Sequence, residues 1–477
     1  MTRSTGMSNR GSSEICYFSF SPVSVLLGIA FVAISIRLAP LLRDGVATNP
    51  DSRRYTELAQ GLNHGCGFAR WLNNSCGTLE TFRTPGYPLF LAVMPSLRIA
   101  VAVQAFMGAA VCLLIGLFVL DCWGPTAAVV AELIVAFDIP SILFGAMILS
   151  DLSFQFLVTV GVVLGLWASV RSSNDPRATT AIIVGAILFG VAILVRPIGI
   201  VLIVFAGLPV FLLPRISWRR TMTTALLACA IPSIFTLCWM VRNDHRTGVS
   251  TLSTVGSLNL YFYRAAGVVW SHGDKSFPAV QEEFGRALGW PMRDFNDAPP
   301  SLEPAMTQRA LRIIKNDPIA FILMTVRWFL WLMVVPERAD LNGFLGTNAG
   351  ATSYLAASGD IIARIREIRR SPLLTALVTL QFMVTILVWI GVGRVLTGLC
   401  HKSAVEISMI LFMLMLTMGF LVLASGAESV ARFRLPVIPL LAVLAAIGWC
   451  GRFTIVSESS ASGGAQTEHG PAAVATD

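Results

Sequence analysis

The sequence predicts an all-α polytopic integral membrane protein, and three observations carry that prediction. Of 477 residues, 55% are hydrophobic and only 13% charged, and the mean hydropathy is +0.72, far outside the range of a soluble globular domain. Several apolar runs approach or exceed the ~20 residues that cross a bilayer as helix. No alternating ten-residue pattern of a membrane barrel occurs.

Met1 to Phe20 is Ser-rich and weakly basic, and the apolar run behind it has no small-residue cleavage site, so residues 1–22 read as a cytoplasmic tail before a retained first span. Apolar segments follow near Val23 to Leu42, Ile99 to Leu120, Thr126 to Phe144, Leu152 to Val170, Thr179 to Val195, Ile198 to Leu213, Met222 to Val241, Ile319 to Val335, Leu373 to Val392, Val405 to Leu423 and Leu435 to Cys450. The expectation is a bundle of 10–11 transmembrane helices. Ile319 to Val335 sets the uncertainty, because Arg327, Trp328 and Trp331 suit a helix lying in the interface as well as one that crosses. The chain divides into a transmembrane module at 23–241 that includes a polar loop at 43–98, a second loop at 242–318, C-terminal helices at 319–450 and a Ser, Gly and Ala-rich disordered tail at 451–477.

Short loops give the orientation, since cytoplasmic loops accumulate Arg and Lys. Arg171 and Arg177 lie in one such loop, and Arg215, Arg219 and Arg220 in another. With the amino terminus inside, both fall on the cytoplasmic side, and the two long loops share the outer face. Eleven spans would place Arg364, Arg366, Arg369 and Arg370 inside; ten would place Glu428, Arg432 and Arg434 outside.

The net charge of +8 is scattered over loops, with no basic helix or aromatic RNA-binding signature, which excludes nucleic acid as a partner and favours anionic lipid or phosphate. The nine cysteines form no metal pattern, and most lie singly in apolar segments as buried thiols. Cys66 and Cys76 share the first polar loop and could form a disulfide in an oxidising compartment; their spacing leaves the pairing open.

Asn49 to Leu62 reads as an amphipathic surface helix started by Asn49 and Pro50, with Tyr55, Leu58, Ala59 and Leu62 at helical spacing. Asp51, Arg54 and Tyr55 stand at i, i+3 and i+4, so one face presents a carboxylate, a guanidinium and a phenol. Arg83-Thr-Pro-Gly-Tyr-Pro88 adds a second cation in a turn stiffened by two prolines. Asp151 borders an apolar run, where a carboxylate is costly unless it faces protein, partner or water; capping the helix beside Ser150 is the plainer alternative. Glu132 lies deeper in an apolar run without an assigned role, and His64 and His272 are lone loop histidines.

Together, Asp51 to Phe68 (DSRRYTELAQGLNHGCGF), Arg83 to Ala92 (RTPGYPLFLA), Leu149-Ser-Asp-Leu-Ser-Phe154, Val195-Arg-Pro-Ile-Gly199, Arg242-Asn243 and Arg432-Phe-Arg-Leu-Pro436 resemble the bacterial glycosyltransferases of the polytopic GT-C fold, a family that includes the protein mannosyltransferase and aminoarabinose transferase relatives. The resemblance implies a GT-C-like bundle with two outer-face loops bearing amphipathic helices. It also implies transfer of a sugar, with inversion, from a polyprenyl-phosphate donor to a lipid, glycan or protein acceptor on the outer face of a bacterial inner membrane. Asp51 and Asp151 match the family's acidic positions and are the candidate catalytic residues. Arg54, Tyr55, Arg83 and, with less of the motif around it, Arg242 match positions that would hold the donor phosphate. Phe82 stands where the aminoarabinose relatives carry a metal-binding acid, so no metal ligand is assigned and a divalent ion stays an open alternative. Val255 to Pro304, with Tyr261, Phe262, Tyr263, Trp270 and Trp290, reads either as an acceptor-side loop or as an interfacial aromatic belt. A transporter or flippase of an amphipathic or anionic solute is the rival class; its binding groups would sit near the midplane, not in loops at one face.

Overall fold

The computed structural model describes residues 21–43, 45–171, 175–212, 217–273, 275–290, 298–335, 339–345, 372–427 and 430–450. The two tails, Arg364 to Arg370 and Glu428 lie outside the described residues.

The first helix, α1 (Pro22–Leu38), starts where the Ser21 side chain accepts from the Ser24 backbone, with Pro22 in the first turn, where its missing N–H costs nothing. After a turn comes α2 (Pro50–Asn63), begun by a reciprocal cap: Asn49 accepts from the Ser52 backbone, and the Ser52 hydroxyl accepts from the Asn49 backbone. A hairpin follows, β1 (Ala69–Leu72) paired antiparallel with β2 (Ser75–Leu79). Asn73 and Asn74, at φ 48° and 59°, make its turn. The short α3 (Gly86–Ala92) leads into α4 (Leu97–Trp123), which Ser96 caps and Gly124 ends at φ 85°.

Thr126 to Phe144 is a broken pair, α5 (Pro125–Ala136) and α6 (Ile139–Gly145), bent by 48°. Then come α7 (Asp151–Ser169), α8 (Pro176–Val195), the six-residue α9 (Leu202–Gly207) inside the apolar stretch Pro197–Leu212, and α10 (Trp218–Thr247), which Gly248 closes at φ 72°. The second long loop holds α11 (Val255–Leu258), α12 (Ala266–Trp270), α13 (Phe277–Ala287) and α14 (Glu303–Asn316). A bend of 101° at Asp317 starts α15 (Pro318–Val334), and α16 (Ala339–Leu345), α17 (Pro372–Thr397), α18 (Ala404–Ala424) and α19 (Ile438–Cys450) complete the described helices.

Among the described residues, eight helices are long and apolar enough to cross a membrane, or ten if each bent pair counts as one span. This is an all-α multi-pass membrane protein, with one hairpin among the described residues. Within the bundle α1 packs on α4, α4 on α5, α7 on α8, α8 on α10 and α17 on α19. Small residues set the closest approach: a Cβ at Gly391 would lie 2.8 Å from the Ala445 backbone. Exposed Leu226, Leu227, Ile234 and Leu237 on α10, with Leu380, Met383 and Leu387 on α17, form outward faces suited to lipid.

Backbone freed at helix breaks must find partners where water is scarce. Two buried arginines supply them. Arg37 donates to the carbonyls of Val135 (3.0 Å) and Ala136 (2.9 Å) at the end of α5, while Arg434 donates to those of Leu332 (3.0 Å), Met333 (2.8 Å) and Val335 (2.8 Å) at the end of α15. Each cation meets the negative end of a helix dipole.

The start of α15 and the end of α16 lie at one end of the bundle. Asp317 meets His272 of the second loop at 2.6 Å, and the Phe344 carbonyl accepts from Arg43, just before α2, at 2.7 Å. Ile319 to Val335 therefore belongs to a bent pair, broken by 101° at Asp317, whose start is tethered to that end.

Candidate active site

The chemistry-bearing residues gather at that same end, around the first turn of α2. Capping by Asn49 points the first turn of α2 toward the loop Glu80–Pro85, and Asp51 Oδ1 accepts from Arg83 Nη2 at 2.5 Å. Its second oxygen, Oδ2, lies 2.9 Å from Arg432 Nη2, brought in by the 3-10 turn Ala431–Val437 that precedes α19. Tyr55, one turn along α2, is buried, with its hydroxyl 3.0 Å from Ser150 Oγ and its ring 4.9 Å from the Arg83 guanidinium. Asp151, beginning α7 with its side chain only 3% exposed, pairs with Arg196. Arg196 and Arg432 both lie over the Phe433 ring, at 5.9 and 5.4 Å.

Other contacts fix this cluster. Glu80 is buried and takes Arg54 bidentately, Oε2 from Nε at 2.7 Å and Oε1 from Nη2 at 3.0 Å. Its Oε1 also accepts from the backbone of Phe82 (2.6 Å) and Arg83 (3.2 Å). Ser253 donates to the Phe82 carbonyl at 2.5 Å, the Thr254 backbone donates to that of Thr81 at 3.0 Å, and Arg242 donates to the Glu80 carbonyl at 3.2 Å. The Arg83 turn is held from both long loops. On the other side, Gln104 accepts from the Tyr87 hydroxyl at 2.6 Å and donates to the carbonyls of Gly145 and Met147, and a parallel bridge joins Ala47 to Met147. These contacts tie the approach to Asp51 to the approach to Asp151.

A cavity of about 120 Å³ adjoins the cluster. Tyr55, Arg83, Thr84, Arg196 and Asn259 form its polar side, and the rest is apolar, including Ile198, Val255 and Leu423. Burial acts to raise the pKa of Asp51, but Arg83, Arg432 and then Arg196 outweigh it and hold the carboxyl well below the usual carboxylate range. Asp51 is thus a fixed anion in a cationic setting.

Of the residues singled out in the sequence, Asp51, Asp151, Tyr55 and Arg83 come together. Arg54 and Arg242 lie one layer back, on Glu80. Arg196 and Arg432, which stood in quoted motifs without an assigned role, are in the centre. The signal available for both was an arginine at the edge of an apolar run, a position that demands an acidic or carbonyl partner. Glu80 carried no such signal. Tyr261 and Phe262 are 2% and 1% exposed and pack with Phe82, Phe284 and Met306, so these two aromatics build the floor beneath the second loop instead of a surface. Cys66 and Cys76 form a disulfide across the hairpin. Among the described residues no group of three or more His, Cys, Asp and Glu side chains gathers as a metal site would need.

Fold and site define a multi-pass membrane protein with an aspartate–arginine centre at one end of its bundle. No family model matches the chain, and no curated protein matches it in sequence. Solved structures do match. The archaeal oligosaccharyltransferase AglB from Archaeoglobus fulgidus, in complex with an inhibitory peptide and a dolichol-phosphate, is 12% identical over 90% of this chain and 50% of that one, with a TM-score of 0.49. The apo form of the Archaeoglobus fulgidus oligosaccharyltransferase gives 14%, 91%, 51% and 0.48. ArnT from Cupriavidus metallidurans bound to undecaprenyl phosphate is 12% identical, with coverage of 89% and 76% and a TM-score of 0.36. The chain spans about half the length of the archaeal oligosaccharyltransferases it matches.

Proposed function

We propose that this protein is a membrane glycosyltransferase that moves a sugar from a polyprenyl-phosphate donor to a hydroxyl-bearing acceptor on the outer face of a bacterial inner membrane. The observation that carries the proposal is the convergence of Asp51 and Asp151 with Arg83, Arg196 and Arg432 beside a cavity that is cationic on one side and apolar on the other. That combination suits a phosphate joined to a lipid. A midplane transport site would put its charges within the spans instead.

In the reaction, the acceptor oxygen attacks the anomeric carbon and its proton passes to Asp51. The bond from that carbon to the phosphate oxygen breaks, and its electron pair stays on the lipid phosphate. Arg83 and Arg196 stabilise the charge that grows there, since guanidinium groups fixed in a partly dry site need no reorganisation. Attack opposite the leaving group inverts the anomeric centre. Asp151 holds Arg196 toward the phosphate. No step requires a metal among the residues named.

Asp51→Asn keeps the side chain's size and removes its charge. In purified protein reconstituted with radiolabelled polyprenyl-phosphate sugars and a membrane extract as acceptor source, this variant is expected to insert normally and to lose transfer by about 10²–10⁴-fold. Wild-type-like transfer would remove Asp51 from the mechanism. Solute uptake into sealed vesicles, without glycosyl product from any donor, would overturn the enzyme assignment.

A further inference from the structure

Two groups on the cavity are uncommitted, and they come from different loops. Thr84, on the Arg83 turn, is 2% exposed, and Asn259, from the second loop, is half-buried. Among the described residues neither the Thr84 hydroxyl nor the Asn259 amide has a hydrogen-bond partner. By contrast, Tyr55 meets Ser150, Arg83 meets Asp51 and Arg196 meets Asp151. A polar side chain screened from bulk water and left unpaired is costly unless a ligand pairs it. Asn259 is also presented by a fixed element. It opens a π-helical turn, Asn259–Ala265, a rare widened form of helix that concentrates at functional sites. The turn is pinned from α13: Gln281 donates to the Phe262 carbonyl at 2.9 Å, and the Tyr261 hydroxyl donates to the Phe284 carbonyl at 3.2 Å. The Ser253 bond to the Phe82 carbonyl ties this loop to the turn that carries Thr84.

The charge of the lining restricts the ligand further. Arg83 and Arg196 face the cavity and, among the described residues, no carboxylate lines it. A sugar ammonium entering it would lose water without gaining an anionic partner. Sugar hydroxyls, in contrast, suit a hydroxyl and an amide, each of which both donates and accepts. We propose that Thr84 and Asn259 bind the hydroxyls of the donor's sugar and select an uncharged sugar over a cationic amino sugar. This rests on the glycosyltransferase reading and names the class of its donor. With the phosphate on the arginines, Thr84 and Asn259 are the specificity-determining residues for the sugar.

Binding measurements test this without an acceptor. Bare undecaprenyl phosphate, the same lipid phosphate carrying glucose, galactose, mannose, xylose or N-acetylglucosamine, and one carrying aminoarabinose are each titrated into the full-length protein in nanodiscs. In wild type at least one neutral donor is expected to bind about tenfold more tightly than the bare lipid phosphate, the worth of two hydrogen bonds, and the aminoarabinose donor no more tightly than it. Thr84→Val and Asn259→Leu are each expected to weaken that neutral donor by about threefold to tenfold and to leave bare undecaprenyl phosphate unchanged. No gain from any of the neutral sugars, or a gain from aminoarabinose, overturns the sugar class while leaving phosphate recognition intact. Folded variants that keep wild-type affinity for the neutral donor, or that weaken the bare lipid phosphate equally, remove Thr84 and Asn259 from sugar recognition. Absence of undecaprenyl phosphate binding by wild type overturns the glycosyltransferase reading itself, and this inference with it.

Discussion

Arg196 illustrates what a single residue does in this site and how far the sequence reveals it. It follows the apolar run of α8 and precedes Pro197, so the chain must turn there, and its guanidinium needs an acidic or carbonyl partner. The sequence offers that much but does not name the acid, since Asp151 is 45 positions away, the difference of the two residue numbers. Asp51, Tyr55 and Arg83 were legible because they lie on one helix face and one stiff turn, where spacing and geometry coincide. The pairing of Arg432 with Asp51 was not, because contact between residues so far apart is decided by packing and not by local pattern. Asp151 is nearly inaccessible, so removing its partner leaves a buried charge. Arg196→Gln is therefore expected to destabilise the protein by about 3–5 kcal/mol, whereas the double variant with Asp151→Asn recovers most of that loss. Thermal unfolding of the four members of this cycle, in one detergent, measures the coupling; additive effects would deny the pair its structural role.

At the scale of elements, the first polar loop folds as a helix clasped by a hairpin, and only the helix was legible. Asn49 and Pro50 announce α2, but β1 and β2 are short and lack a clean alternation of apolar and polar residues. Their turn depends on Asn73 and Asn74 in left-handed conformation, which asparagine tolerates better than most residues. The hairpin ends at Glu80, whose carboxylate holds Arg54 and the backbone of the Arg83 turn, so its stiffness reaches the site. The Cys66–Cys76 bond closes it, with a sequence separation of 10. By the loop-entropy argument the bond contributes about 2–3 kcal/mol. Replacing both cysteines by serine is expected to lower the unfolding midpoint and to make it insensitive to added reductant, while reductant lowers the wild-type midpoint to meet it. A wild-type midpoint indifferent to reductant would indicate that the hairpin is held without the bond.

Across the whole molecule, contacts between distant segments determine how many times the chain passes through the bundle. Arg196 lies at the site, and α10 returns there at Arg242, which meets Glu80; the apolar stretch Pro197–Leu212 must therefore carry the chain to the far end. The segment 318–345 begins and ends at the site end, and Arg432 returns there before α19. The path then runs through α1, α4, the bent α5–α6 pair, α7, α8, Pro197–Leu212, α10, α17, α18 and α19, with Pro197–Leu212 shorter than the eight helices long enough to cross and the bent α14–α15 pair left out. Hydropathy could not choose, because α15 is as apolar as a true span and differs only in where its ends are tethered. The path puts α13 and the site at one end, and the start of α10 at the other. Since the arginines at 215, 219 and 220 favour the cytoplasm, the charge rule leads us to propose that the site faces outward. Glu282 and Arg219 are both exposed, one near each end. In intact cells a membrane-impermeant maleimide is expected to label Glu282→Cys, and to label Arg219→Cys only after permeabilisation. The reverse pattern would turn the site toward the cytoplasm and exclude an acceptor on the outer face; labelling of both before permeabilisation would contradict the path itself.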